Sequence, residues 1–236
     1  MQLVKIRILE GTLELRSGLR IGASEGEMRI GGVDQQVIRN PLTQEPYIPG
    51  SSLKGKVRSL LEWRSGAVQP EPLGLAALKG PYRAAVKPIL QLFGVGGGDQ
   101  LSDAEAQDLG PTRLAFWDAT LQRDWLTEHV DESVVEIKTE NRIDRIRGVA
   151  EHPRQTERVV AGARFDFRLS IKVLDIDGEG DALMQTLLAG LRLLELDSLG
   201  GSGSRGYGKV RLCDLRLDGR DIQSTFDAVD PFAVAA

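Results

Sequence analysis

Tyr47-Ile48-Pro49-Gly50-Ser51-Ser52-Leu53-Lys54-Gly55-Lys56-Val57-Arg58 is the stretch from which the fold of this chain is read. Proline and glycine close an extended approach, Ser51 or Ser52 offers an N-cap, and Leu53, Val57, Leu60 and Leu61 fall on one helical face until Ser65-Gly66 ends the helix. Upstream, residues 2 to 16 alternate apolar and polar positions, the period of a half-buried strand, and Ser17 to Gly22 continue as strand or turn. Between strand and helix, residues 23 to 50 have no sustained period and are rich in Gly and Pro, which reads as a long functional loop. That loop holds Gly31-Gly32-Val33-Asp34, two glycines and a lone carboxylate.

Downstream of the helix, Pro70, Pro72, Pro81 and Pro88 break residues 67 to 111 into short pieces, with a short helix over Val86 to Phe93. Gly94 to Asp99 reads as a flexible linker, because no Lys-Ser or Lys-Thr follows the triple glycine as a phosphate-binding loop requires. Arg113 to Leu121, Ser133 to Lys138 and Ala163 to Leu174 read as strands, the last with Phe165, Phe167, Leu169, Ile171 and Val173 on one face. Asp181 to Glu195 repeats leucine at helical spacing, and Arg211 to Leu217 is a last strand. Strand, helix, strand, strand, helix, strand is the βαββαβ plan of an α+β, ferredoxin-like, RRM-like core. The chain is expected to be one domain over residues 1 to 236, with insertions at about 23 to 50, 67 to 111 and 139 to 160, the last a thumb-like β-hairpin.

Composition narrows the function. One cysteine and two histidines among 236 residues leave no internal disulfide, no Cys-rich zinc site and no His cluster, and point to a reducing, cytoplasmic setting. No apolar run approaches the roughly 18 residues of a membrane span, so no membrane partner is expected. A net charge of -4 argues mildly against nucleic acid. Yet the segment from Lys138 to Arg168 carries eight basic residues against five acids, a local positive island. The strands lack the aromatic signature on which RNA-recognition domains stack bases, so RNA here would be held by loops.

Three places suit an anion. Lys54 and Arg58, four apart on α-helical spacing, share a face beyond Ser51 and Ser52, where the helix start leaves N–H groups free. The same pattern fits an ordinary capped helix with surface charge. The insertion around Arg142, Arg145, Arg154 and Arg158 interleaves Ile143, Ile146 and Val149, which suits an arm lying along phosphates or docking on a neighbouring subunit. Leu199 to Val210 holds five glycines with Gly201, Ser202, Gly203 and Arg205, a loop able to approach a phosphate backbone closely or simply a turn needing positive φ.

The runs Gly31-Gly32-Val33-Asp34, Tyr47 to Arg58, Thr139-Glu140-Asn141-Arg142-Ile143-Asp144-Arg145, Pro153 to Val159 and Gly200 to Gly208 together resemble the repeated backbone subunit of type III-A CRISPR effector complexes, of the RAMP superfamily. The similarity runs in order from about residue 3 to 217. It implies copies stacked head to tail along a guide CRISPR RNA, with other effector subunits alongside, each copy cutting the paired target RNA. It also implies metal-dependent cleavage leaving a cyclic phosphate, with Asp34 as catalytic residue and as ligand for Mg²⁺ or another divalent cation. RNA contact is implied for Arg20, Ser51, Ser52, Lys54, Arg58, Arg142, Arg145, Arg154, Arg158, Gly201, Ser202, Gly203 and Arg205. Many relatives carry a histidine where this chain has Arg20. By residue chemistry alone Asp34 is a turn residue in a glycine-rich loop. Two alternatives therefore stay open, a structural guide-RNA-binding subunit without catalytic activity and a small-molecule enzyme using the glycine loops for a nucleotide.

Overall fold

The N-terminal alternation becomes β1 (Leu3–Leu15), which buries Leu9, Leu13 and Leu15. The computed structural model describes residues 1–22, 36–96, 100–178 and 181–233. Gly31 to Asp34, and the Gly97 to Asp99 end of the expected linker, lie outside the described residues. Along the chain follow β2 (Tyr47–Ile48), α1 (Gly50–Ser65), α2 (Arg83–Phe93), α3 (Asp103–Leu109), β3 (Leu114–Phe116), β4 (Ala119–Thr120), α4 (Arg123–Glu128), β5 (Val135–Ile143) and β6 (Ala150–Val159). The remainder is β7 (Arg164–Leu174), α5 (Asp181–Leu196), β8 (Val210–Leu217), β9 (Arg220–Asp221) and α6 (Gln223–Asp227).

The main sheet runs β3-β7-β1-β8-β9 with every pair antiparallel. With α1 linking β1 to β3 and α5 linking β7 to β8, this is the ferredoxin-like strand order, and β9 is an added edge. Helices α1 and α5 cover one face. Leu53, Val57 and Leu61 from α1 and Leu187, Leu191 and Leu194 from α5 share a core with Leu9, Leu13, Phe165, Phe167 and Leu212. Gly190 sets how closely the helices meet, since a Cβ there would lie 2.7 Å from Val57 Cγ1 and 2.8 Å from Leu61 Cδ1.

Several local expectations are revised. Neither Ser51 nor Ser52 caps α1: Pro49 is the N-cap, and the Gly50 N–H donates to Asp118 Oδ1 at 2.7 Å. A carboxylate 68 residues away in sequence thus meets the positive end of the helix. The expected strand over Arg113 to Leu121 breaks after Phe116 and resumes at Ala119, which frees Asp118 for that role. In β7 the last buried side chain is Leu174 rather than Val173, because pairing with β1 shifts between Leu3 and Lys5. The strand expected over Ser133 to Lys138 is present from Val135 and runs on to Ile143, in a two-stranded sheet with β6 apart from the main sheet. The hairpin already begins at Val135, pairs Val135 with Val159, and shifts register between Glu140 and Arg142. Residues 67 to 111 form a small second core of Leu73, Val86, Leu90 and Leu109. Helix α2 starts at Arg83, three residues earlier than read from the sequence.

The β8–β9 connection is a two-residue Asp218-Gly219 turn with φ of 53° and 79°, the left-handed pair such hairpins favour. Asp218 also clasps the first strand: it accepts from the Ile8 N–H at 2.9 Å, Lys5 Nζ at 3.0 Å and Arg7 Nε at 2.9 Å. Burial raises its pKa, but these three donors outweigh it and hold the carboxyl down at about 2. A folded pKa below the unfolded value adds stability that is complete above about pH 4 and is lost as pH falls through about 2. Asp218→Asn is expected to flatten the acid limb of a pH–Tm profile between those values while changing the profile little in shape near neutrality.

Candidate nucleic-acid interface

Three separate segments converge at one end of the sheet. The strand exit Gly18 to Gly22 pairs with the hairpin base, Leu19 N–H to Val159 O at 3.0 Å and Val159 N–H to Leu19 O at 2.8 Å. The glycine-rich loop closes over the same exit through Gly208 N–H to Gly18 O and Gly201 N–H to Arg20 O, both at 2.9 Å. The loop's glycines serve close packing first. Gly208 has φ of 69°, and a Cβ on it would sit 1.9 Å from Leu199 O; Gly200 has φ of 72°, and a Cβ there would sit 2.2 Å from Arg20 O. The turn reading and the close-approach reading of this loop therefore both apply. Ser202, Gly203 and Ser204 have N–H groups with no acceptor among the described residues.

Tyr207 is the centre of this junction. It is fully buried, its hydroxyl donates to Glu140 Oε1 at 3.0 Å, and Lys138 Nζ and Arg158 Cζ lie 4.5 and 4.9 Å from its ring centroid. Glu140 also meets Arg205 Nη1 at 3.1 Å and Lys138 Nζ at 3.3 Å. Burial pushes the Glu140 carboxyl up, but the Tyr207 hydroxyl and the two cations prevail and keep it below the usual carboxylate range. Burial and the Glu140 charge raise the Tyr207 phenol. Arg158 donates to Glu136 at 2.7 Å and packs over Gly18, where a Cβ would strike its side chain at 2.5 Å.

The candidate RNA-contacting residues divide into groups. Arg20, Gly201, Ser202, Gly203, Arg205 and Arg158 are brought together at this junction. Arg20 lies against Gly201 and Gly22, and its buried Nε has no acceptor among the described residues. Arg142 and Arg145 stand apart on the exposed hairpin arm beyond the register shift, with Ile146 almost fully exposed at the tip, while Arg154, also exposed, pairs across the strands with Glu140 at the last step before the shift. Ser51, Ser52 and Lys54 sit in the first turn of α1, and no hydrogen bond or ion pair among the described residues joins them to the junction. Burial, and then the charge of Arg58, lowers the Lys54 pKa. Arg58 turns inward, donating to Glu62 at 2.7 Å and to Leu73 O at 2.8 Å, so it braces α1 against the second core.

Asp34, the candidate for catalysis and metal binding, lies outside the described residues, but both flanks of its segment are anchored here. Gly22 bridges Val37, the Ile38 N–H donates to Ile21 O at 2.9 Å, and Val37 N–H and Arg39 Nη2 both reach Glu157 in the hairpin base, at 2.9 and 2.5 Å. Sequence reasoning missed Arg39, Lys138, Glu140, Glu157 and Tyr207. The usable signal was the alternation of Glu136, Lys138 and Glu140 with Thr156 and Arg158 on paired strands. Among the described residues no three His, Cys, Asp or Glu side chains converge as a metal cage. Tyr207→Phe removes the hydroxyl from a charged acceptor, and about 1.5 kcal/mol or more of stability is expected to go with it. Thermal melting measures that loss, and limited proteolysis should then cut within 141–155 faster than in the parent.

With this geometry in place, the RAMP superfamily matches residues 12–211 of the chain. Among curated proteins, the "CRISPR system Cms endoribonuclease Csm3" of Methanocaldococcus jannaschii is 39% identical over 213 residues, 89% of this chain and 79% of that protein. The protein of the same name from Mycobacterium tuberculosis is 39% identical over 88% of this chain and 86% of its own. Among solved structures, a chain of the Csm3–Csm4 subcomplex in the type III-A CRISPR-Cas interference complex aligns with a TM-score of 0.55 at 29% identity, covering 92% of this chain and 80% of that one. Methanopyrus kandleri Csm3 aligns at 0.55 and 27% identity, covering 91% and 77%. The chain belongs to the RAMP superfamily.

Proposed function

We propose that this protein is a backbone subunit of a CRISPR type III effector that holds guide RNA along a head-to-tail filament and cleaves the paired target RNA. The observation that carries the reading is the convergence of Arg20, the Gly201 to Arg205 loop and the hairpin base on one surface. Relatives named as endoribonucleases, at 39% identity over most of the chain, support the nuclease part of the reading. Phosphate affinity comes from Lys and Arg displacing counterions, and repetition along a filament multiplies a few contacts per copy. The net acidity of the whole chain is therefore no obstacle. Its partners are guide and target RNA, further copies of itself and other effector subunits; it works in the cytoplasm, and none of its described helices is long and apolar enough to cross a membrane.

For chemistry, a target 2′-hydroxyl attacks the adjacent phosphorus, the 5′-oxygen leaves, and a cyclic phosphate remains on the upstream fragment. Asp34, three residues before the anchored Val37, is the group assigned to this step. Its carboxylate takes the hydroxyl proton or holds a divalent cation together with phosphate oxygens, a ligand set suited to Mg²⁺. Such an ion would stabilise the developing charge on phosphorus. The guide, by pairing, sets the in-line geometry.

Asp34→Ala in the reconstituted complex is expected to reduce target cutting by about a hundredfold or more, with guide retention, read by gel of the extracted RNA, unchanged. Equal cutting by parent and variant would leave a structural guide-binding subunit as the correct reading. Guide loss alongside would place Asp34 in assembly instead.

A further inference from the structure

Resting on that RNA-binding reading, we propose that Trp117 and Arg168, on the sheet face turned away from α1 and α5, form a stacking site for one base of a single-stranded RNA. In β3 and β7 the side chains of Leu114, Phe167, Leu169 and Ile171 enter the core, and Phe116 stacks on Phe93 beneath the helices. Alternation therefore turns Ala115, Trp117 and Arg168 to the opposite face. Trp117 is 49% exposed, and Arg168 holds its guanidinium 4.3 Å from the ring centroid. The ring is thus fixed by a cation and by its backbone, whose N–H donates to Arg168 O at 3.1 Å, while half of it remains in solvent.

The surroundings carry both signs of charge. On that face Arg164, Arg168 and Lys172 from β7 and Arg211 and Arg216 from β8 stand among Glu10, Glu14, Asp166 and Asp221, and Arg168 and Lys172 lie on the strand that pairs with β3. Glu14 is already bonded to Arg16 at 2.7 Å. Arg168 Nε lies 3.9 Å from Glu10, near enough for attraction but not for a hydrogen bond, so that buried N–H has no acceptor among the described residues. The site also adjoins the first turn of α1. Gly50 packs on the Phe116 and Trp117 carbonyls, where a Cβ would meet oxygens at 2.6 and 2.9 Å. Every base offers a π-face to an aromatic ring, so the site is indifferent to sequence, as a guide-holding subunit requires.

The test uses the purified full chain and two fluorescein-labelled strands of about 12 nucleotides, an oligouridylate and an abasic ribose-phosphate strand of equal length. Trp117→Ala is expected to weaken oligouridylate binding about tenfold and to leave the abasic strand unchanged, while Trp117→Phe keeps the parent affinity for both. Equal affinity of Trp117→Ala and parent for oligouridylate overturns the proposal. So does an equal loss on the abasic strand, or a Trp117→Phe variant as weak as Trp117→Ala, since either makes the residue a framework element. If Arg20→Ala and Arg205→Ala weaken binding while Trp117→Ala does not, only the stacking site falls. If the parent binds neither strand, the RNA-binding reading falls with it.

Discussion

The arrangement of the interface depends on one buried phenol. Tyr207 reaches from the loop after α5 to Glu140 at the last paired step of the hairpin base, with Lys138 and Arg158 against its ring. A buried hydroxyl that meets a charged acceptor is costly to leave unpaired, and cations over an aromatic face gain further as water is excluded. These contacts fix where the arm leaves the domain. Beyond Glu140 the strand register shifts and the arm is exposed on nearly every side chain. A docked base and a free arm are therefore built from one continuous hairpin, with the boundary set by a single carboxylate.

The same contacts decide which basic residues are available. Arg158 and Lys138 are committed to Tyr207 and to Glu136 or Glu140, whereas Arg142, Arg145 and Arg154 have no ion pair among the described residues. Exposed ion pairs are weak in water and exchange readily for phosphate, so Arg205, half exposed beside Glu140, is poised between both states. Local arrangement, and not the net charge of -4, governs what the surface binds.

Much of the fold was legible because the apolar periods are clean. Leu9, Leu13 and Leu15 in β1 and the alternating Phe165 to Ile171 in β7 fix the two central strands, and the leucines of α5 fix a helix. What escaped were long-range matters. That Asp118 rather than Ser51 or Ser52 serves the start of α1, and that Arg58 folds back on Glu62 and Leu73, depend on partners distant in sequence. Short-range spacing placed Lys54 and Arg58 together but could not say which way Arg58 turns. The site was legible in part: loop and arm were visible as glycine-rich and basic runs, while the clamp joining them required knowing that Tyr207 and Glu140, 67 residues apart, meet. The Asp218-Gly219 turn escaped as well, although its dipeptide is one that such hairpins favour.

The central claim is that one RNA strand lies across the junction of the Arg20 exit, the Gly201 to Arg205 loop and the hairpin. Ultraviolet crosslinking of the RNA-loaded assembly, followed by mass spectrometry of the digested protein, tests it most directly. The account predicts nucleotide adducts on peptides spanning residues 16–22, 138–158 and 200–209. Adducts confined to the opposite surface around Trp63, Leu196 and Phe232, with those peptides unmodified, would contradict it.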